Sequence, residues 1–532
     1  MARWLSVPSF FRRIPRRWLW GIASVGLVAS TGLIALGMLR GPQRRASSHA
    51  RRPAFQDSVM ETTRTGPGSP IPHVEAAEVR SSELQTTDSN DASRSDHESV
   101  DLVSFHSESV DASRPNAHEP QTASWSRFRG PNGTGVSSED SVATEWSDQK
   151  NIVWKTKLPG AGSSSPILTD RFLFVTSYTG YGSERGGSMD GLQRQLSCIE
   201  RSNGKILWTK TKKAVLPDDP YQGMGVPEHG YATNTPVTDG EHVFVFFGKS
   251  GVIAYDLDGN EQWQTGVGTE SGNRGWGTAA SLILYKDLVI VNASEESQSI
   301  RALRKDTGEL VWTAAASTLE LAYGTPVIAK VNDDRDDLIL AVPGEVWGLN
   351  PDTGKLVWYA ETSLTGNLSP SVVLDGDIVY VFGGYRSSGS TAIRIGGKGD
   401  VTKSHVVWTS RNSSYVSTPV LCDGTLYWID DRGTFYSSSS KTGELLHRAR
   451  VPGIESRDRP VYASPIAINN KLYFQTRHDG LIVAAANPNL EVLHQNRFDS
   501  DTSMCNATPA VGNGQLFLRS DTHLYCIAPS SH

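Results

Sequence analysis

Residues 235–265 read TPVTDGEHVFVFFGKSGVIAYDLDGNEQWQT, and the punctuation of this stretch decides the fold. Pro236 stands where a strand can begin without a donor N–H. Asp239-Gly240 supplies the positive φ of a tight hairpin turn, and the β-branched and aromatic run from His242 to Phe247 follows as a second strand. Gly251 to Asp256 reads as a third strand, Asp258-Gly259 as another tight turn, and Glu261-Gln262-Trp263 as a fourth strand. Four antiparallel strands in succession make one blade of a propeller.

The unit recurs along the chain. Its opening proline or stand-in falls at Pro166, Pro236, Leu282, Pro326, Pro370, Pro419, Pro465 and Pro509, with gaps of 70, 46, 44, 44, 49, 46 and 44 residues. After one long first unit this is the spacing of propeller blades. Second-turn equivalents are Asn203-Gly204, Thr307-Gly308, Thr353-Gly354 and Thr442-Gly443, and histidine replaces the tryptophan at His447 and His494. The last unit ends after two strands with no turn and no tryptophan, whereas Asn151-Ile152-Val153-Trp154-Lys155, just ahead of the first unit, carries the missing pattern. The expectation is an all-β, eight-bladed β-propeller of four-stranded antiparallel blades. The N-terminal strand closes it, leaving no open edge to invite aggregation.

Thr307-Gly308-Glu309-Leu310-Val311-Trp312, Thr353-Gly354-Lys355-Leu356-Val357-Trp358 and Asn203-Gly204-Lys205-Ile206-Leu207-Trp208 resemble the repeat of pyrroloquinoline quinone (PQQ)-type propellers. That superfamily includes quinoprotein dehydrogenases and the BamB-type outer-membrane assembly propeller. Phe128-Arg129-Gly130-Pro131-Asn132-Gly133 is similar to the start of the PQQ-like repeat proteins of planctomycete-type bacteria. The resemblance implies that Trp154, Trp208, Trp263, Trp312, Trp358 and Trp408 dock each blade on the turn of its neighbour. A large apolar ring with one N–H to satisfy suits that role. It also implies an alternative activity, PQQ-dependent oxidation of an alcohol or sugar, which needs calcium held by a carboxylate and an amide and an aspartate base. The chain has no vicinal cysteines, and no position matches that base or those ligands. No catalytic, cofactor-binding or metal residue is therefore assigned, and PQQ with calcium is expected only under the alternative.

Residues 1–17 are a basic segment, and residues 18–39 run 22 positions without a charge, long enough to cross a bilayer as a transmembrane helix. A cleaved signal peptide followed by secretion is the alternative. Arginines flank the run on both sides; the chosen topology is single-pass, with the N-terminus cytoplasmic and the propeller periplasmic or otherwise extracytoplasmic. Residues 40–124, rich in Ser, Thr and acids and poor in aromatics, read as a disordered linker, and residues 125–532 as the propeller domain. The first 52 residues carry a net +10, residues 53–124 a net −9, and the remainder −7. A mildly acidic repeat region without a basic stripe argues against nucleic acid as a partner. Cys198, Cys422, Cys505 and Cys526 have no metal-site spacing and read as small apolar residues, with a Cys505–Cys526 bridge left open.

Loops leading from one blade into the next line the mouth of a propeller's channel. Here they hold Arg274, Trp276, Tyr323, Asn367, Tyr415, Arg459 and Asn506, the candidate ligand-binding residues, beside Glu228, His229 and Tyr462. Aromatic and hydrogen-bonding groups in a ring suit a peptide, a glycan or a small polar ligand; the competing reading is that they only pack the funnel. Residues 217–229, PDDPYQGMGVPEH, are an insertion read as a surface loop that could serve as a lid. Asp333-Asp334-Arg335-Asp336-Asp337 is read as a solvated hairpin tip, and the glycine-rich residues 180–191 and 383–399 as long hairpins. The function expected is a membrane-anchored binding or assembly scaffold, a monomeric propeller with a cell-envelope protein or glycan as partner.

Overall fold

The computed structural model describes residues 125–529, apart from 183–186, 386 and 457, together with the backbone of Gln56–Asp57. The expected membrane helix at residues 18–39 and nearly all of the linker lie outside the described residues. Among the described residues, no helix is long and apolar enough to cross a membrane.

Eight antiparallel sheets account for the eight units. Blade 1 begins at Ile167–Leu168, blade 2 at Val237–Thr238, blade 3 at Ile283–Tyr285 and blade 4 at Val327–Asn332. Blades 5 to 8 begin at Val373–Asp375, Val420–Cys422, Ile466–Ile468 and Ala510–Gly512. Blade 8 takes its outer strand from Ile152–Lys157, which pairs antiparallel with His523–Ile527 in the register Trp154↔Cys526 and Thr156↔Leu524. Gln56–Asp57 adds a short strand to the outer edge of blade 3, and Gly399–Asp400 one to that of blade 4.

Two sets of contacts join the blades. At the periphery the tryptophan of one blade lies on the turn glycine of the next. The indole N–H of Trp154 donates to the Arg201 carbonyl (2.9 Å), Trp208 to Leu257 (3.0 Å), Trp263 to Lys305 (2.8 Å), Trp312 to Pro351 (3.0 Å) and Trp408 to Ser440 (2.8 Å). The facing glycines are Gly204, Gly259, Gly308, Gly354 and Gly443, all at positive φ, and a Cβ on any of them would stand 2.4–2.8 Å from the indole ring. The glycine of the repeat is thus required twice, by its backbone and by its neighbour.

Trp358 departs from the expected role. Its N–H donates to Asp337 Oδ2 (2.6 Å) within its own blade. The next blade offers no tight turn at that point: residues 395–405 leave blade 5, pair with blade 4 at Gly399–Asp400 and return through the helical turn Thr402–His405. Asp337, read as part of a solvated tip, is fully buried between Trp358 and the guanidinium of Arg335; Asp333 and Asp334 do form an exposed turn.

The inner contacts form a ring of hydroxyls. From Ser165 through Thr235, Ser281, Thr325, Ser371, Thr418 and Ser464 to Thr508, each backbone N–H donates to the hydroxyl of the next blade at 2.9–3.1 Å. Blade 5 enters this ring through Ser371-Val372, so the unit assigned to Pro370 is displaced by two residues. The true gaps from that blade are 46 before and 47 after. Across the ring runs the segment 125–135. Trp125 pairs with Leu168 of blade 1, the Ser126 carbonyl accepts from Thr238 of blade 2, and Gly135 accepts from Ala467 of blade 7. Arg129, wholly buried, donates to the carbonyls of Gly133, Thr134, Thr418, Pro419 and Pro465. A buried charge needs such a set of acceptors. All four cysteines are free thiols, Cys505 and Cys526 included.

Two glycine substitutions separate backbone strain from ring contact. Gly240 has φ +94° and nothing within 4 Å of the place a Cβ would take, whereas Gly308 has φ +71° and the Trp263 ring 2.4 Å from that place. Gly240→Ala is expected to cost about 1–2 kcal/mol from the left-handed backbone, and Gly308→Ala roughly 1–3 kcal/mol more from overpacking. Urea midpoints of the two variants check this; equal losses would remove the ring contact as the reason for the glycine.

Candidate ligand site in the central channel

The inner strands converge on a cavity of about 180 Å³. Phe128 from the crossing segment is in its lining, the ring hydroxyls form its wall, and the loops between blades form its mouth. Six of the seven residues expected at the mouth meet there: Trp276, Tyr323, Asn367, Tyr415, Arg459 and Asn506. The seventh, Arg274, stands behind them with its guanidinium 4.8 Å from the Trp276 ring centre. Trp276 stacks on Tyr323 with ring centroids 6.2 Å apart, and Arg459 lies 5.3 Å over Tyr415 with Asp431 3.9 Å away.

Asn367 is held by two bridging loops, since Tyr323 N donates to the Leu368 carbonyl and Leu368 N to that of Leu321, both at 2.9 Å. It is 1 % exposed, and neither its amide oxygen nor its amide nitrogen has a hydrogen-bond partner. Buried polar groups are paired in the great majority of cases, so an idle amide beside a cavity marks capacity for a ligand or water.

The insertion 217–229 is not a free surface loop. Asp218 and Asp219 are buried, Asp218 ion-paired to Arg194 at 2.6 Å, and Val226–His229 is a helical turn against the cavity. Glu228 pairs with Arg477 (2.8 Å), and its carbonyl accepts from Asn506 Nδ2 (2.9 Å). The insertion therefore reaches from blade 1 to the loops of blades 7 and 8, leaving Met224 61 % exposed at its tip. Hydrophobic contact anchors it: Tyr178, Tyr181, Tyr221 and Tyr231 cluster beneath, which a polar-looking sequence did not disclose. Glu228 and His229 do not form an acid–base pair. His229 Nε2 faces the Trp276 carbonyl (3.0 Å), which can only accept, so Nε2 carries the proton and Nδ1 accepts from Thr233 (2.7 Å). Burial pushes the His229 pKa down, keeping the ring neutral.

The floor and the hydroxyl wall were absent from the sequence reading. A signal for the wall exists in Ser165-Pro166, Thr235-Pro236, Thr325-Pro326, Thr418-Pro419, Ser464-Pro465 and Thr508-Pro509, where a hydroxyl residue precedes the proline. Nothing in Phe128 by itself marks a channel floor.

The charged groups at the cavity that a PQQ-bound divalent cation would call on are already engaged. Among the described residues no three His, Cys, Asp or Glu are grouped to hold a metal ion. Among them too, the one carboxylate lining the cavity, Glu228, is committed to Arg477, and Arg459 already faces Asp431. A multiply charged cofactor would find few unopposed charges here.

The fold defines the chain as an eight-bladed PQQ-like propeller. A family model described as outer membrane protein assembly factor BamB matches residues 148–329 and, overlapping them, 277–449, and the chain belongs to this family. The outer membrane protein assembly factor BamB of Legionella pneumophila (strain Paris) is 26 % identical over 212 residues, which are 38 % of this chain and 49 % of that protein. The chain thus spans about half the length of the curated relative it matches. Two solved structures share the fold. BamB from Moraxella catarrhalis aligns at TM-score 0.51 and 14 % identity over 72 % of this chain and 98 % of that one. A europium-containing methanol dehydrogenase aligns at 0.51 and 10 % over 77 % and 98 %. At these identities the likeness is one of fold alone.

Beneath the mouth, burial pushes the carboxyl of Glu295 up to about 7 and that of Glu296 up to about 8. Asp219 adds to both, Glu295 adds to Glu296, and Arg194 lowers Glu296. These groups hold their protons more tightly folded than unfolded, where they titrate near 4.5. Their contribution is full below about pH 4.5 and is lost as pH rises through about 8. Glu296→Gln is expected to flatten the fall of the melting temperature between pH 5 and pH 8; an unchanged slope would show that Glu296 is ionised throughout.

Proposed function

We propose that this protein is a membrane-anchored, extracytoplasmic scaffold that captures a cell-envelope protein or glycan at the channel mouth. The observation that carries the reading is the convergence of Trp276, Tyr415, Arg459 and the unpartnered Asn367 on one cavity, in a chain of the BamB family. Aromatic and arginine side chains are the composition of binding hot spots, and here they stand above a wall of hydroxyls. In this reading residues 18–39 are the anchor, residues 40–124 the tether, and the pairing of Ile152–Lys157 with the last strand closes the ring next to the tether. The insertion 217–229, with glycines on both sides of Met224, forms one lip of the mouth.

Affinity capture from envelope extracts with the full chain tests this. Trp276→Ala combined with Arg459→Ala is expected to lower recovery of the retained partner at least about tenfold, each being a hot-spot type of residue, with the circular dichroism unchanged. Equal recovery would overturn the mouth as the binding surface. The dehydrogenase alternative is met separately: with PQQ and calcium added to the full chain, the cofactor absorbance is expected to stay unchanged. A saturable spectral shift with alcohol- or sugar-dependent dye reduction would replace the scaffold reading with the enzyme.

A further inference from the structure

The central channel is built in layers. Its inner ring is the set of hydroxyls from Thr235 to Thr508, each accepting the backbone N–H of the preceding blade. Among the described residues none of these hydroxyls gives its own proton to a protein acceptor. The residues two positions before the ring, from Ser163 of blade 1 to Asn506 of blade 8, line the same cavity, as alternate residues of an extended chain do. In blade 5 the alternation runs one step further. Leu368, bridged in parallel to Ala322, packs into the apolar core of blades 4 and 5, while Asn367 and Ser369 on either side of it line the channel. Asn367 is thus turned inward, 1 % exposed, with both amide atoms unpaired, and Oδ1 of Asn506 has no partner either.

This capacity is mixed. The ring O–H groups and Asn367 Nδ2 offer protons, whereas the amide oxygens of Asn367 and Asn506 accept them. An anion would be set against those oxygens, and a cation would find the lining carboxylate, Glu228, already held by Arg477. A ligand that answers both sets is neutral and carries groups that donate and accept at once. Trp276, stacked on Tyr323, and Tyr415 give such a ligand an apolar surface to cover. The cavity of about 180 Å³ is far larger than a single water requires, which is roughly 10–15 Å³. Phe128 closes its far end, so a chain can enter only by a terminus. A free peptide terminus brings a charge that has no unopposed partner here. The non-reducing end of a glycan is neutral, with hydroxyls on its rim and C–H groups on its faces.

The geometry points to a sugar site: the channel receives the neutral terminal residue of a glycan. The ring hydroxyls and Asn367 meet its hydroxyl or acetamido groups, and Trp276 covers one apolar face. This assignment deepens the scaffold proposed above and rests on the mouth being its binding surface.

The probes are glucose and N-acetylglucosamine, titrated into the full chain and followed by calorimetry, with sorbitol as an open-chain polyol and acetyl-glycyl-glycine amide as a neutral peptide. At least one sugar is expected to bind saturably at millimolar concentration, and sorbitol and the peptide are not. A response to N-acetylglucosamine alone assigns the acetamido group to Asn367. Asn367→Leu removes the idle amide without stranding a protein partner, so it is expected to fold as the parent does and to weaken sugar binding at least about tenfold. Ala279→Leu fills the channel from the second layer without removing a polar group, and the same loss is expected. No saturable response of the unmodified protein to either sugar overturns the proposal, whatever the variants do. So does a response to sorbitol or the peptide equal to that of the sugars, or full sugar binding by both folded variants. Absence of sugar binding while Trp276→Ala with Arg459→Ala still loses its envelope partner would remove the sugar and leave the mouth standing.

Discussion

The contact between a tryptophan and the turn glycine of the following blade is the constraint on which the ring depends. A blade is a small twisted sheet that cannot bury both faces alone, so each must be held at a fixed angle to the next. Indole does this with one flat surface and one donor: the ring covers the glycine and the N–H takes a carbonyl two or three residues ahead of it, as in Trp263 on Gly308 and Lys305. Because the glycine is also at positive φ, one residue type satisfies both demands. Where the partner turn is missing, the tryptophan is retained and finds another acceptor, as Trp358 finds Asp337.

The same ring is tied at its centre by weaker, more numerous bonds. The hydroxyls from Thr235 to Thr508 each accept one N–H from the preceding blade, which leaves short polar side chains facing inward. Bulky inner residues would have filled the channel; these leave a cavity, and the segment carrying Phe128 and Arg129 crosses it. The depth of the candidate site is therefore set by two features distant in sequence, the crossing segment at one end and the insertion 217–229 at the other. Both are fastened by charge: Arg129 on carbonyls of blades 6 and 7, and Glu228 on Arg477.

Charge in the interior is mostly neutralised or answered. His229 is neutral, Glu228 and Arg459 face partners, and Glu295 and Glu296 are pushed toward their protonated forms. What remains available at the channel mouth is neutral, chiefly the amide of Asn367. The scaffold is built from blade contacts, and the chemistry sits on side chains those contacts do not specify, so a fold shared with a methanol dehydrogenase does not by itself carry an activity.

The sequence by itself determined the fold class and the number of units, because turns with positive φ, alternating strands and a recurrent tryptophan are local patterns that repeat. Trp276, Tyr323, Asn367, Tyr415, Arg459 and Asn506 were legible together since each occupies the same kind of loop between blades. Local pattern misplaced what depends on distant partners. Pro370 stood for a position that Ser371-Val372 occupies, Trp358 was assigned a turn that blade 5 does not make, and the insertion 217–229 was taken as a surface loop although tyrosines and Arg477 hold it across the mouth. Only the tertiary structure decided that Phe128 and Arg129 cross the channel and that Glu228 of the insertion meets Arg477. Both are statements about which groups from opposite sides of a closed ring meet, and ring closure brings together residues hundreds of positions apart.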